Sequence, residues 1–251
     1  MSSPEVHKAP LGPFLARNPF NGPYTDGLYF RDKMRAIHAI APDSAVQHLL
    51  EVGGGRSGLS AMLYPRARVT NIDMDPTVAA APGNRGATRF VTGSATDLPF
   101  PDSTFDIVTM FDLLEHVPDD GKAAREAMRV LRPGGSVLVT TPDRDRWKYP
   151  YYQVFKPICP PEEQLFAEWG HVRRGYTQPE LDTIFNQRAE TTAAFVNPWL
   201  AVSHDIAFSR LPRRVRTVLH AAVSPISLVG WFVFGPDSPG TEIAARWRKT
   251  A

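Results

Sequence analysis

The sequence predicts an α/β fold, a mostly parallel sheet with helices on both faces, and three observations predict it. Short apolar runs of strand length recur at residues 46–51, 67–72, 89–92, 105–110 and 136–141. Helix-length segments separate them near 57–63, 76–81 and 119–131. A glycine-rich turn, Gly53-Gly54-Gly55-Arg56-Ser57-Gly58, leaves the first run directly, where a strand hands over to a helix. Strands that alternate with helices pair in parallel and are buried on both sides. The chain has 251 residues, enough for one sizeable domain of this kind or for a domain with a large insertion.

Residues 1–24 contain Pro4, Pro10, Pro13, Pro19 and Pro23, a density that resists helix and strand and predicts an extended arm. From Asp26 to Ile40, Leu28, Phe30, Met34, Ile37 and Ile40 fall roughly on one helical face. In the segment 119–131, Ala124, Ala127, Met128 and Leu131 recur at helical spacing. Asp119 and Asp120 can cap its start, and Pro133-Gly134-Gly135 ends it. Residues 142–175 are rich in proline, aromatics and charge, which predicts a loop over the ligand edge of the sheet. Thr177-Gln178-Pro179-Glu180 opens a further helix with Thr177 as its N-cap. Sixth and seventh strands are expected at Thr191–Val196 and Thr241–Arg248, with a helical insertion at 199–237 between them. The organisation expected is an N-terminal arm and helix over 1–45, a core over 46–198 and 238–251, and the insertion as a lid, dimer or membrane-contact element.

Composition narrows the function classes. The chain is 43% hydrophobic and 22% charged, with a net charge of +2, so no strong basic field argues for nucleic acid. Its one cysteine, Cys159, lies in a proline-rich stretch and permits no intrachain disulfide, which fits a reducing compartment. The N-terminus shows no apolar signal segment, and a cytoplasmic location is expected. The insertion carries Arg210, Arg213, Arg214 and Arg216, then the 20-residue stretch Thr217–Pro236 without formal charge. That length reaches the span of a bilayer, but Ser224, Pro225, Ser227, Gly230 and His220 weigh against a crossing. Helices that cap a site, a homodimer face, or a peripheral membrane contact through 210–236 are the readings that remain.

The glycine turn carries the chemistry. Glycines let the backbone turn tightly and lie against a ligand. Twenty positions after Gly53, Asp73 ends the second strand, where an acid can accept hydrogen bonds from both hydroxyls of a ribose. The pair predicts an adenosine-containing cofactor, and nicotinamide-dependent oxidoreductases carry the same signature. Three later segments are needed to decide: Gly93-Ser94-Ala95-Thr96-Asp97-Leu98-Pro99-Phe100, then Phe105 to Val117 with Asp112-Leu113-Leu114-Glu115-His116, then Leu131-Arg132-Pro133-Gly134-Gly135. Together with Glu51-x-Gly53-x-Gly55, this ordered series resembles the class I S-adenosylmethionine-dependent methyltransferases, in particular the small-molecule, type 11-like branch that includes ubiquinone-biosynthesis enzymes. The resemblance covers about residues 46–141.

The resemblance implies a Rossmann-like, seven-stranded, mostly parallel sheet with an antiparallel last strand, and S-adenosyl-L-methionine as cofactor. It implies that Glu51 and Gly53 line the methionine half of that cofactor, and that Gly55 lets the backbone approach the sugar. Asp73 would take the ribose hydroxyls and Met74 would pack on the adenine. Ser94 stands where the family usually has Asp, and would accept more weakly from the adenine amino group. Ala95 would offer backbone hydrogen bonding to the ring edge, and Phe111 would present its carbonyl to the ammonium.

Methyl transfer to an O–H or N–H acceptor also requires removal of a proton. His116, just beyond the fourth strand, is the first candidate base, and His171, in Gly170-His171-Val172-Arg173, is the second. Asp112, Glu115 and His116 together offer two carboxylates and an imidazole that can hold a divalent cation, although the shorter Asp weakens that reading and no metal is assigned. Aromatics in the variable segments, among them Tyr24, Tyr149, Trp169 and Trp231, favour an apolar or aromatic small-molecule acceptor such as a natural product, quinone, lipid or lipid-linked sugar. An inactive methyltransferase-fold binding protein, an NAD-dependent oxidoreductase and an RNA or protein methyltransferase stay open as alternatives.

Overall fold

Alternation of side chains along each apolar run gives the sheet two buried faces. A computed structural model of the chain describes residues 7–20, 27–84 and 88–250. Its strands are β1 (His48–Val52), β2 (Arg68–Asp73), β3 (Thr88–Thr92), β4 (Phe105–Phe111), β5 (Leu131–Pro142), β6 (Thr191–Phe195) and β7 (Glu242–Arg248). They form one seven-stranded sheet in the order β3-β2-β1-β4-β5-β7-β6. The first five are parallel, and β7 runs antiparallel to both of its neighbours, β5 and β6. Leu49, Ile107, Leu138 and Ala244 belong to one core, and their chain neighbours Leu50, Val108, Val137 and Ala245 belong to the other. That division is the period-two pattern of a sheet covered on both sides.

The helices that cover it are α1 (Leu11–Leu15), α2 (Gly27–Ile40), α3 (Leu59–Leu63), α4 (Asp120–Val130), α5 (Glu162–Trp169), α6 (Gln178–Ile184), α7 (Pro198–Ala207) and α8 (Arg213–Val233). Asp119 caps α4 by accepting from Lys122 N at 2.9 Å. Thr177 and Glu180 form a capping box at α6. α7 and α8 are the expected insertion between the last two strands.

The structure corrects several local expectations. The proline-rich arm contains a helix: α1 tolerates Pro13 because it falls in the first turn, where the backbone N–H has no intrahelical partner. Phe14 and Leu15 then drive α1 into the core, and Ala9 N donates to Leu63 O at 2.7 Å. The arm residues 1–6 and 21–26, Tyr24 among them, lie outside the described residues. Residues 76–80 form a 3-10 turn rather than an α-helix, with Pro76 at its start and Asp75 accepting from Thr77 N. β5 begins at Leu131, five residues early, because Pro133-Gly134-Gly135 makes an irregularity in its pairing with β4 rather than a break before it. The 142–175 segment is not all loop. It contains α5 and a third core of Trp147, Tyr149, Cys159 and Leu165, packed with Phe155, Phe166, Trp169 and Phe208.

Candidate active site

Two clefts open at the carboxyl ends of the parallel strands. The first is about 430 Å³ and is lined by Val52, Gly53, Ile72, Asp73, Met74, Gly93 to Thr96, Asp112, Leu113 and His116 to Pro118. Second-strand side chains shape its glycine turn. Gly54 N donates to Asn71 Oδ1 at 3.2 Å, Gly55 N donates to Asp73 Oδ2 at 3.0 Å, and Gly53 N donates to Ile72 O at 2.8 Å. Asn84 Nδ2 donates to Gly55 O at 2.7 Å. Three glycines of the turn, Gly53, Gly55 and Gly58, sit at positive φ, a backbone region that side-chain-bearing residues avoid. A Cβ on Gly58 would strike the Gly83 backbone at 2.8 Å, whereas one on Gly55 would meet open space. Gly58 therefore serves packing, and Gly55 leaves its side of the turn free for a ligand.

The predicted site residues fall in distinct places. Asp73 is fixed at the rim, its other oxygen accepting from Asp75 N at 2.9 Å, with lone pairs to spare for a diol. Met74 is 76% exposed beside it, so it belongs to the cleft wall and not to the core. Ala95 lines the same wall. Ser94 also borders the cleft, but its Oγ accepts from Thr96 N at 3.2 Å and lies 3.0 Å from Thr96 Oγ1, so the hydroxyl is partly committed to its own turn. Glu51 is 2% exposed beneath the glycine turn. Its Oε1 accepts from Ser60 N at 3.4 Å, and Oε2 has no partner among the described residues. Burial pushes the Glu51 carboxyl up to about 7, with the Ser60 hydrogen bonds pulling the other way. Phe111 is not part of the cleft lining. Its ring packs on the core shared by α1, α2 and α3, and Asp112 and Leu113 border the cleft in its place.

The second cleft, about 310 Å³, is lined by Tyr29, Asp112, Glu115, His116, Pro142, Trp147, Trp169, His171, His204, Phe208 and Glu242. Asp112 and His116 border both clefts. Asp112 holds a positive φ of 47°, and its carboxylate takes an ion pair from Lys33 of α2 and a hydrogen bond from Thr140 Oγ1 at 2.7 Å. Burial would raise its pKa, but the Lys33 charge and these hydrogen bonds outweigh burial and lower it. Glu115 is 1% exposed, with Oε2 accepting from Thr141 at 3.1 Å and Oε1 unpartnered among the described residues. Burial first, and then the neighbouring Asp112 charge, push it up to about 8. Burial also raises Glu242, with Asp112 and Glu115 adding to the effect. Burial brings both His171 and His204 down to about 4. Asp112 is thus a carboxylate matched by Lys33, burial biases Glu115 and Glu242 toward the protonated acid, and burial disfavours charge on His171 and His204.

The two predicted histidines meet. Their rings are 4.6 Å apart, edge to face, and His171 stacks on Phe166 at 5.2 Å. His116 Nδ1 lies 3.2 Å from Gly170 O. A carbonyl only accepts, so Nδ1 carries the hydrogen and Nε2 presents the lone pair. His171 Nδ1 is buried without a partner among the described residues. One ligand atom each from Glu115, His116 and His171 fall within 4.8 Å of one another, a donor set that suits a divalent cation. Asp112, which the sequence pattern placed in such a set, is engaged by Lys33 and Thr140 instead.

Lys33, Tyr29, Trp147, His204, Phe208 and Glu242 are site residues that sequence reasoning missed. Lys33 had a readable signal: a charge between Tyr29 and Ile37, four residues from each, inside the apolar stripe of α2. Glu242 and His204 carried none, because only the tertiary fold brings β7 and α7 to this edge.

Known proteins match this chain in sequence and fold. Residues 50–139 match the family model described as a methyltransferase domain. The chain is 33% identical over 129 residues to the ubiquinone/menaquinone biosynthesis C-methyltransferase UbiE of Desulfotalea psychrophila, covering 48% of this chain and 52% of that one. It is 27% identical over 223 residues to the 2-methyl-6-phytyl-1,4-hydroquinone methyltransferase of Synechocystis, covering 82% and 65%. The N-methyltransferase NodS of Bradyrhizobium japonicum, solved with S-adenosyl-L-homocysteine, shares the fold, with a TM-score of 0.53 at 15% identity over 95% of this chain and 96% of that one. The chain spans about half the length of the curated relatives it matches. The glycine turn, Asp73 at its rim and the matched family model occupy the same stretch of chain, and residues 50–139 carry a methyltransferase domain similar to those of S-adenosylmethionine-dependent methyltransferases.

Proposed function

We propose that this protein transfers the methyl group of S-adenosylmethionine to a small, uncharged, apolar or aromatic acceptor, through an oxygen, nitrogen or carbon atom of it. One observation carries the reading: the cofactor cleft and the aromatic cleft share a wall made of Asp112 and His116. A group bound on one side therefore faces a group bound on the other across a base. When bound, the cofactor supplies a methyl group already activated on a sulfonium, so the protein's task is alignment, exclusion of water and removal of a proton. Asp73 would hold the sugar end, with open space beside Gly55, and Met74 and Ala95 would flank the adenine. His116 Nε2 would accept the acceptor's proton when the activated methyl group is transferred to it. His171, uncharged and packed against the His116 ring, positions it.

Support for the acceptor class comes from the charge state of the second cleft. Lys33 matches the Asp112 carboxylate, burial biases Glu115 and Glu242 toward the neutral acid, and Tyr29, Trp147, Trp169 and Phe208 supply aromatic surface. Such a lining suits a neutral aromatic or lipid-like molecule better than a free cation or anion. The relatives named for quinone and phytyl-hydroquinone methylation act, by those names, on molecules of this kind.

Calorimetric titration with S-adenosylhomocysteine tests the reading. Wild type should bind in the micromolar range, and Asp73→Ala should bind about 10–100-fold more weakly, since charge-assisted hydrogen bonds to two hydroxyls are lost. Folded wild type that takes up no S-adenosylhomocysteine ends the proposal and moves weight to a nicotinamide cofactor or a non-catalytic role.

A further inference from the structure

We propose that α8 seats the protein on an anionic membrane surface. The helix is inverted relative to an ordinary surface helix. Its inward positions are His220, Ser227 and Gly230, while Val218, Ile226, Val229, Phe232 and Val233 point out. Val218 is 68% exposed and Phe232 72% exposed. A helix of a water-surrounded protein turns its apolar stripe inward and its polar face outward, the reverse of what is found here.

The inner face is anchored, which fixes the helix in the plane of the protein surface. Ser227 Oγ lies 2.7 Å from Ser203 Oγ of α7. A Cβ on Gly230 would come within 2.5 Å of Trp199 Cβ, so the two helices touch closely at that point. Arg35 of α2 donates to Trp231 O and Phe234 O, both at 2.6 Å, and its guanidinium lies 4.9 Å from the centre of the Trp231 ring. α8 is long and apolar enough to cross a bilayer. These ties instead lay it flat, as an interfacial helix lies.

Charge identifies what covers the apolar face. No aspartate or glutamate occurs from residue 206 to 236, whereas Arg210, Arg213, Arg214 and Arg216 precede the apolar stretch. Arg216 is tied to Ala207 O, and Arg210 to Gln164 Oε1. Arg213 and Arg214 are exposed in the first turn of α8. Two cations at the positive end of a helix are unfavourable by themselves and call for anions from outside. Phosphate headgroups supply them while the acyl boundary takes up the valines and Phe232. A second copy of α8 would bring further arginines and no carboxylate. α7, on which α8 packs, carries His204 into the acceptor cleft, with Phe208 at its C-terminal cap beside it, so the seat lies behind that wall.

Co-sedimentation of the full chain with vesicles tests this independently of methyl transfer. Binding is expected to vesicles of phosphatidylcholine mixed with phosphatidylglycerol, weakening with salt, and much less to phosphatidylcholine alone. The double variants Arg213→Glu/Arg214→Glu and Val218→Ser/Phe232→Ser should each weaken it by about tenfold or more. Both should keep wild-type circular dichroism and S-adenosylhomocysteine binding, since neither touches the clefts. Folded wild type that stays in the supernatant with anionic vesicles, or variants that bind as wild type does, overturn the proposal. So does a dimer in sedimentation analysis that Val218→Ser/Phe232→Ser dissociates, which would assign the face to a second copy of the chain.

Discussion

The two clefts are built in opposite ways. The cofactor cleft comes from one continuous stretch, residues 52 to 118, with Gly53 and the run Gly93 to Thr96 among its lining. The acceptor cleft is made of large side chains drawn from α2, the exit of β4, the 142–175 segment, α7 and β7. A ligand common to a whole family can be met by turns and hydrogen-bonding backbone, which depend on short-range sequence. A particular acceptor has to be met by side chains brought together over long distances. The first construction is rigid and repeatable, and the second can change one wall at a time.

Substitutions on the two sides should therefore fail differently. The largest effect is expected at the shared wall. His116→Ala should lower the methyl-transfer rate by roughly 10²–10⁴-fold, the usual contribution of a positioned base, and leave S-adenosylhomocysteine affinity within about twofold. If affinity and rate fall together, His116 belongs to the cofactor side and the division of labour is wrong.

Glu51 gives the next effect, through pH. Its pKa is raised from 4.5 to about 7, so between those values the folded chain holds a proton that the unfolded chain releases. The stability this contributes is fully present below 4.5 and is lost as pH rises through 7. Glu51→Gln removes the titration and should flatten that part of the profile. In urea unfolding at pH 5 and pH 8, the fall in stability should be smaller in the variant by up to about 3 kcal/mol. Equal falls in both proteins would show that the carboxyl is not held protonated.

The smallest effect is expected from Gly53→Ala. The position has φ 66°, and the added carbon would lie 2.5 Å from Leu113 Cδ1, a side-chain end that can move. Strain of about 1–2 kcal/mol is expected, read as a lower Tm, together with weaker S-adenosylhomocysteine binding because Leu113 is displaced into the cleft. The same change in an acceptor-side wall would leave cofactor binding untouched.

The contrast also explains what was legible. The strands, the glycine turn, Asp73 and His116 announce themselves through local pattern, so strand positions were readable to within a residue or two for β1 to β4. α1 escaped because five prolines outweighed Phe14 and Leu15, although Pro13 falls where a helix tolerates it. The early start of β5 escaped because Gly134 and Gly135 look like a stop and act as an irregularity inside the pairing. The acceptor wall was the least legible part. Trp147 and Trp169 read as aromatics of a loop, and their shared core with Cys159 and Leu165 depends on α5 folding back. Asp112 looked like a metal ligand because the ion pair with Lys33 joins residues far apart in the chain.

Tyr29 stands near the beginning of the described chain, and Glu242 on its last strand, yet both line the acceptor cleft. Arg246 of β7 likewise donates to Ile40 O at the end of α2. The second cleft therefore takes its form only where β7, paired between β5 and β6, is held against α2 from the other end of the described chain.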